Sequence, residues 1–296
     1  MTVPEVVVGV DGSAGSDQAV RWTVGLAARR RLPVRIVHAL RLTVPQYGPG
    51  IGETGALFDA IQENGERILR DALRLARQVD ETLPITTDMP TEPPVPLLTE
   101  LSRSARMVVI GHTGAGGFPG MLVGSTAAAV VSHAHCPVLV VRGRFGPAVP
   151  EEGPVVVGVD GSPVSESAVA VAFDEASVRG VPLIALHAWH DDTYGSMYST
   201  NRHLVEWTSI EAGEQQLLAE RLAGWQEKYP DVVVRRALVR DRPRHALMEW
   251  SATARLVVVG SRGRGGFRGM LLGSTSQALV QHARCPVLVV RHRPDE

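Results

Sequence analysis

"VVVGVDGS" occupies residues 6–13, and the same eight letters return at residues 155–162. A strand apolar on both faces belongs inside a sheet that is covered on both sides. Downstream of the first copy, strand-like and helix-like segments alternate. The pattern predicts a helix over about 16–30, the strand "VRIVHAL" at 34–40, a long helix through 66–79 and a short strand near 85–87. A helix over about 95–104, the strand "MVVIG" at 107–111, a helix after Ser125 and the strand "VLVVR" at 138–142 complete the set. Strand and helix in alternation, with β-branched buried strands, imply an α/β unit: a doubly wound, parallel, five-stranded sheet with right-handed crossovers. Ligands of such sheets sit at the carboxyl ends of the strands, where the winding reverses.

The unit is present twice. Asp11 and Asp160, His38 and His187, Gly111 and Gly260, and Cys136 and Cys285 each stand 149 positions apart, as 11 and 160 do. One offset shared by widely spaced landmarks leaves almost no room for net insertion, so the 296 residues are two copies of one domain-sized unit. The Gly- and Pro-rich stretch "GRFGPAVPEEG" at 143–153 reads as the linker. The expected domains are 1–145 and 153–296, with the cut near Pro150.

A net charge of −1 argues against broad electrostatic capture of nucleic acid or anionic lipid. The start "MTVPEVVVGVDGS" has no basic region before its apolar run and meets an aspartate, so a cytoplasmic protein is expected. Residues 107–141 carry no Asp, Glu, Lys or Arg and are long enough to mimic a membrane span. Glycines and Pro137 interrupt them, and the second copy carries Arg262, Arg264, Arg268 and Arg284 there, so no membrane partner is expected.

The chemistry concentrates after the fourth strand, in "GHTGAGGFPGMLVGST" at 111–126 and "GSRGRGGFRGMLLGST" at 260–275. The shared skeleton is Gly111, Gly114, Gly124 and Ser125 in one copy and Gly260, Gly263, Gly273 and Ser274 in the other. Glycine permits positive φ and close approach of backbone to a ligand, so consecutive N–H groups can form an anion nest. The Gly-Ser-Thr at the end of the stretch opens a helix, whose N-terminus offers free N–H groups and a positive dipole end. Phosphate is the natural guest. A P-loop is excluded because the chain's single lysine is Lys228. GxGxxG fails because its last glycine would fall on Arg268.

V-G-V-D-G-S on the first strand, with G-x2-G-x9-G-S/T after the fourth, resembles the universal stress protein family, over both halves and in register. The likeness is to its tandem, ATP-binding branch. The resemblance implies an adenine nucleotide alpha hydrolase-like fold that holds ATP with Mg²⁺, in a cytoplasmic regulatory protein made under stress. It does not imply turnover. By that resemblance Asp11 and Asp160 face the nucleoside, with Gly9 and Gly158 keeping the strand end open. The loops Gly111, His112, Thr113, Gly114, Ala115, Gly116 and Gly117, and Gly260, Ser261, Arg262, Gly263, Arg264, Gly265 and Gly266, wrap ribose and phosphates. Gly124, Ser125 and Thr126, and Gly273, Ser274, Thr275 and Ser276, meet the phosphate tail. Ala39 and Ala188 border the adenine, and Asp191 accepts from a ribose hydroxyl where the first copy has Leu42. The last strands, 138–142 and 287–291, are expected to pair as a homodimer or an internal pseudo-dimer, and effector proteins of unknown identity to read the occupied state.

Plainer readings stand beside these. Asp11 and Asp160 suit a cap or turn former in "DGS". "HAHC" at 133–136 and "HARC" at 282–285 have the spacing of metal ligands, but they fall at a helix end where His complements the dipole and Cys packs as an apolar group. His38 and His187 read as strand-end packing, and the tryptophans, which do not repeat in register, as local packing or interface residues. The expectation is a nucleotide-binding regulator. A slow ATP hydrolase or phosphotransferase, and a scaffold with structural nucleotide, are the alternatives. Because Arg262, Arg264 and Arg268 replace Thr113, Ala115 and Pro119, the second site is expected to bind more tightly.

Overall fold

The three valines that open each copy become the inner strand of a parallel sheet, and they are sealed from solvent. The computed structural model describes residues 3–40, 54–114, 123–142, 152–190, 207–264 and 271–291. The chain divides into two units, Met1–Arg142 and Gly143–Glu296, upstream of the cut near Pro150. In the first, the strands are β1 (Val6–Gly9), β2 (Val34–Val37), β3 (Ile85–Asp88), β4 (Met107–Gly111) and β5 (Val138–Val141). The helices are α1 (Ala14–Arg30), α2 (Thr54–Val79), α3 (Pro94–Leu101) and α4 (Ser125–His133). The strand order is β3-β2-β1-β4-β5, with Val6 opposite Val34 on one side and Met107 on the other. Every pairing within the unit is parallel.

The second unit repeats the plan. Its strands are β6 (Val155–Gly158), β7 (Leu183–Trp189), β8 (Val234–Arg240), β9 (Leu256–Gly260) and β10 (Val287–Val290), in the order β10-β9-β6-β7-β8. Its helices are α5 (Pro163–Arg179), α6 (Trp207–Leu222), α7 (Trp225–Lys228), α8 (Pro243–Trp250) and α9 (Ser274–His282). The expected doubly wound α/β fold is present in both units.

Local chemistry explains the departures from the expected boundaries. The helix expected from residue 66 begins at Thr54, because Gly65 lies within α2. A Cβ there would stand 2.6 Å from the Met89 sulfur, so this glycine lets the helix seat on the sheet. In the second unit the corresponding helix breaks at Gly224, whose φ of 77° is left-handed. Directly after that break, the short α7 stacks Trp225 on the buried Phe173, ring centroids 5.6 Å apart, with Tyr229 at 5.7 Å from the same ring. β2 stops at Val37, earlier than the expected residue 40. Beyond it the His38 ring turns to the Val10 carbonyl, Nδ1 to O 2.8 Å.

Helix α5 carries a buried ion pair between Glu175 and Arg179, one turn apart. No helix among the described residues is long and apolar enough to cross a membrane.

Candidate functional site

Strand order reverses between β1 and β4, so the segments leaving their carboxyl ends go to opposite sides and open a crevice. In the first unit this is a cavity of about 510 Å³. One end is apolar, formed by Val37 and Ala39 after β2, Ile110 on β4, and Pro94, Leu97 and Leu98 on α3. Asp11, Ser13 and Ser16 line its middle, and Thr113, Gly114 and the start of α4, Gly124 to Ala127, form the far end.

The Asp-Gly-Ser turn is built by hydrogen bonds to one carboxylate oxygen. Asp11 Oδ1 accepts from the Ser13 amide at 3.1 Å and the Ser13 hydroxyl at 2.6 Å. Ser13, not the aspartate, then caps α1, its Oγ accepting from the Ser16 amide at 3.2 Å. Asp160 and Ser162 repeat this at 2.9 and 2.7 Å, with Ser162 capping α5. Gly12 and Gly161 between them have φ of 78° and 74°, which is why the triplet needs glycine. The aspartates thus serve the turn and, in the first unit, line the cavity as well.

The glycines of the fourth-strand loop are required for a different reason from the one expected. Among the described residues, none of Gly111, Gly114, Gly124, Gly260, Gly263 and Gly273 has positive φ. Without that conformation the described part of the loop forms no left-handed nest. Gly111 lets α1 approach, since a Cβ would stand 2.6 Å from the Gly15 carbonyl carbon. Gly263 makes room for the second oxygen of Asp160, which would be 2.5 Å from a Cβ, and Gly114 does the same for Asp11. In the second unit that oxygen also accepts from the Arg264 amide at 3.0 Å, tying loop to turn.

Gly124 and Gly273 differ from these. A Cβ at either would find only ordinary contacts, 3.5 Å and 3.4 Å at the nearest, and each glycine stands at the N-cap of its helix with no side chain over the first turn. The first turn of α4, from Gly124 through Ser125 and Thr126 to Ala127, therefore lines the cavity with no side-chain cap hydrogen bond from its N-cap. An uncapped helix start of this kind favours an anion.

Of the expected first-unit residues, Gly9, Asp11, Ala39, Gly111, Thr113, Gly114, Gly124, Ser125 and Thr126 line the cavity. His112 does not. It alternates to the other side of the extended segment, where its buried Nδ1 has no hydrogen-bond partner among the described residues. Burial, then the nearby Arg142 charge, hold its pKa below the ordinary value. In the second unit Gly158, Asp160, Ala188, Gly260, Ser261, Gly263, Gly273, Ser274 and Thr275 occupy the matching places in the repeat. The Ser276 hydroxyl donates to the Gly260 carbonyl at 2.6 Å and ties α9 to β9. The Arg264 guanidinium lies over Gly161 beside Arg221, which pairs with Glu166, while Arg262 is near Arg291. Ala115, Gly116, Gly117, Asp191, Gly265, Gly266, Leu42, Pro119 and Arg268 lie outside the described residues.

Sequence reasoning missed the apolar wall of α3 and the two turn serines. It also read His38 as strand-end packing, although the residue borders the cavity. Its counterpart has a different neighbour. His187 bonds the Val159 carbonyl through Nδ1 at 2.6 Å, and its Nε2 meets Glu214 Oε2 at 2.5 Å, both side chains being buried. The position of Glu214 in the repeat is Gly65 in the first unit. The His-x2-Cys spacings bring no ligand set together: Cys136 is buried against Pro137, and His133 is exposed with Nδ1 on the Ala129 carbonyl.

Fold and crevice define a class, the tandem doubly wound α/β domains whose switch point opens beside a helix N-terminus. The model of the universal stress protein family matches residues 3–142 and again residues 153–291, and the chain belongs to that family. It is 45% identical over 291 residues to universal stress protein Rv2005c of Mycobacterium tuberculosis, covering 97% of this chain and 96% of the relative. Identity to universal stress protein Rv2623 of the same species is 41% over 290 residues, with the same coverage. A crystal structure of a universal stress protein from Archaeoglobus fulgidus superposes with a TM-score of 0.67 over 98% of this chain and 99% of that one, at 17% identity, and so shares the fold. Membership gives the chain a role in the stress response.

Proposed function

We propose that the protein is a cytoplasmic regulator that binds ATP in each unit and changes its choice of effector protein with occupancy. The observation that carries this reading is the division of the cavity. An apolar slot of Val37, Ala39, Leu97 and Leu98 suits a purine, and the uncapped start of α4 with Ser125 and Thr126 at the other end suits phosphates. Asp11 and Ser13 between them face the position of a ribose. Mg²⁺, when bound, would offset phosphate charge. The Asp11 carboxylate, with Oδ1 occupied by Ser13 and Oδ2 against Gly114, is a poor direct ligand, so Ser125 and Thr126 are the nearer donors.

The same occupancy of Asp11 favours a regulator over a hydrolase. A general base needs a lone pair directed at an attacking water, and both oxygens here have structural neighbours. Turnover is expected on a scale of minutes or longer. Denaturing the purified protein and separating the released small molecules is the test: ATP with some ADP is expected. A flavin, a nicotinamide, or no nucleotide together with no binding of added ATP at millimolar concentration, refutes the reading. The second site is proposed as the tighter one, because Arg264 closes its loop onto Asp160 and brings a guanidinium beside Arg221. Equal affinities in a calorimetric titration, or a stronger first site, would remove that asymmetry.

A further inference from the structure

Each unit closes one side of its sheet with a strand that pairs along a single edge, β3 in the first and β8 in the second. An open edge is a template for another strand, and folded chains blunt it with short length, proline or charge. The two copies do so differently. β3 has four residues, and residues 82–96 around it hold five prolines and no arginine. β8 runs for seven residues, and residues 231–245 hold one proline, five arginines and two aspartates. Both units have the same strand order, so the fold itself does not call for a long, basic edge on one of them.

Alternation along β8 decides which backbone groups face outward. The Val233 carbonyl accepts from the Leu183 amide at 3.0 Å, so Arg235, Ala237 and Val239 turn their peptide groups to β7, while Val234, Arg236 and Leu238 turn theirs away from it. Among the described residues these outward groups have no backbone partner. Arg235 and Arg236 are exposed and stand in no ion pair among the described residues. Arg240 lies over the Trp189 ring, 5.5 Å from its centroid, and Val233 at the start of the strand is 60% exposed.

We infer that β8 is the docking edge for an extended, acidic segment of a partner protein, which adds to the sheet of the second unit as a further strand. Its backbone pairs with Val234, Arg236 and Leu238, and its carboxylates meet Arg235 and Arg236. A second copy of β8 is a poor occupant, because it would bring the same arginines against these. A nucleic acid would meet the arginines but leave the outward amides and carbonyls without a ladder. β8 stands two strands from the switch point between β6 and β9, so the inference gives an effector a place to bind without depending on the nucleotide.

The test uses the full chain and the end-blocked heptapeptide Glu-Val-Glu-Val-Glu-Val-Glu, with amide exchange read residue by residue by NMR. In the free protein the amides of Val234, Arg236 and Leu238 should exchange fast. Saturating peptide should slow each by about tenfold or more, while Arg235 and Ala237, already bonded to β7, change little. The same peptide methylated at every backbone nitrogen keeps its charge and loses its donors, and it should protect nothing. An analogue with lysine for glutamate should also fail. Arg235→Glu with Arg236→Glu should weaken the glutamate peptide by about tenfold or more and admit the lysine peptide. No protection at millimolar peptide, equal protection by the methylated peptide, or unchanged affinity in the double variant overturns the inference. So does protection already present in the free chain, which assigns the edge to the chain itself or, where it grows with protein concentration, to a second copy. Protection by a polyuridine oligonucleotide where the peptide gives none assigns the edge to nucleic acid instead. The measurements on the native chain stand whatever the stability of the variant.

Discussion

Gly263→Ala tests whether the fourth-strand glycine answers to the aspartate across from it. The added methyl would stand 2.5 Å from Asp160 Oδ2, about 0.9 Å inside ordinary contact at 3.4 Å. Relief requires the loop or the carboxylate to move. Moving the carboxylate breaks the bond from the Arg264 amide and disturbs those from the Ser162 amide and hydroxyl. Hydrogen bonds to a charged group contribute about 1.5–3 kcal/mol each, and the Ser162 cap adds about 1 kcal/mol. These bonds are partly exposed and the loop can share the displacement, so a loss of about 2 kcal/mol in the second unit is expected. In an Asp160→Ala background the methyl has no carboxylate to meet, and the same substitution should be almost neutral. The coupling in the double-mutant cycle is therefore about 2 kcal/mol. Urea unfolding followed by tryptophan fluorescence suits the measurement, because Trp189, Trp207, Trp225 and Trp250 lie in the second unit and only Trp22 in the first. Trp22→Phe removes the background. Additive effects, with a coupling below about 0.5 kcal/mol, would refute the reasoning.

Arg31 ends α1 in the left-handed region at φ 52°, where the second unit has Gly180 at φ 63°. Arg31→Gly should therefore stabilise the first unit by about 0.5–1 kcal/mol, seen as a rise in its melting temperature. Arg179→Met should destabilise the second unit by about 3–5 kcal/mol in chemical denaturation by leaving Glu175 buried without its guanidinium, while Arg179→Met with Glu175→Leu should recover most of the loss. His245 accompanies Asp241 at 2.5 Å on the surface, and that hydrogen bond, then the Asp241 and Glu249 charges, raise its pKa above the ordinary 6.5. Because the folded chain holds that proton more tightly, its contribution is fully present below the unfolded value and disappears as pH rises through the raised one. An NMR titration should place the His245 midpoint above 6.5, and Asp241→Asn should lower it.

The strands were legible because buried parallel strands announce themselves through continuous β-branched runs: β4 was expected at 107–111 and is found as Met107–Gly111. The first half of α2 was not, and the reason for Gly65 lies just past the end of β3, at Met89. Much of the cavity lining was legible from position in the fold. The partner of each side chain was not. That Ser13 rather than Asp11 caps the helix is decided by which oxygen reaches which amide. The separate reasons for Gly111 and Gly114 depend on groups roughly a hundred residues away in the chain. Ser276 was expected at the phosphate tail, and the bond of its hydroxyl to the Gly260 carbonyl was not legible.

The fit between each aspartate and the glycine of its loop bears on how such a motif is inherited. Oδ2 of Asp160 occupies the space a side chain at Gly263 would take, so Gly263 is not free to drift while Asp160 stays, and Asp160 in turn is held by the Ser162 and Arg264 amides it accepts from. Selection for folding alone then preserves both letters, whether or not a copy still meets its ligand. Gly273 is under no such constraint from the protein, since a Cβ there makes only ordinary contacts and its φ of −72° suits any residue. Among descendants of a duplicated unit, a copy released from ligand binding should keep the aspartate and the first glycines for a long time. The glycine before the last helix would be among the earliest to change, which makes it the more telling letter to track.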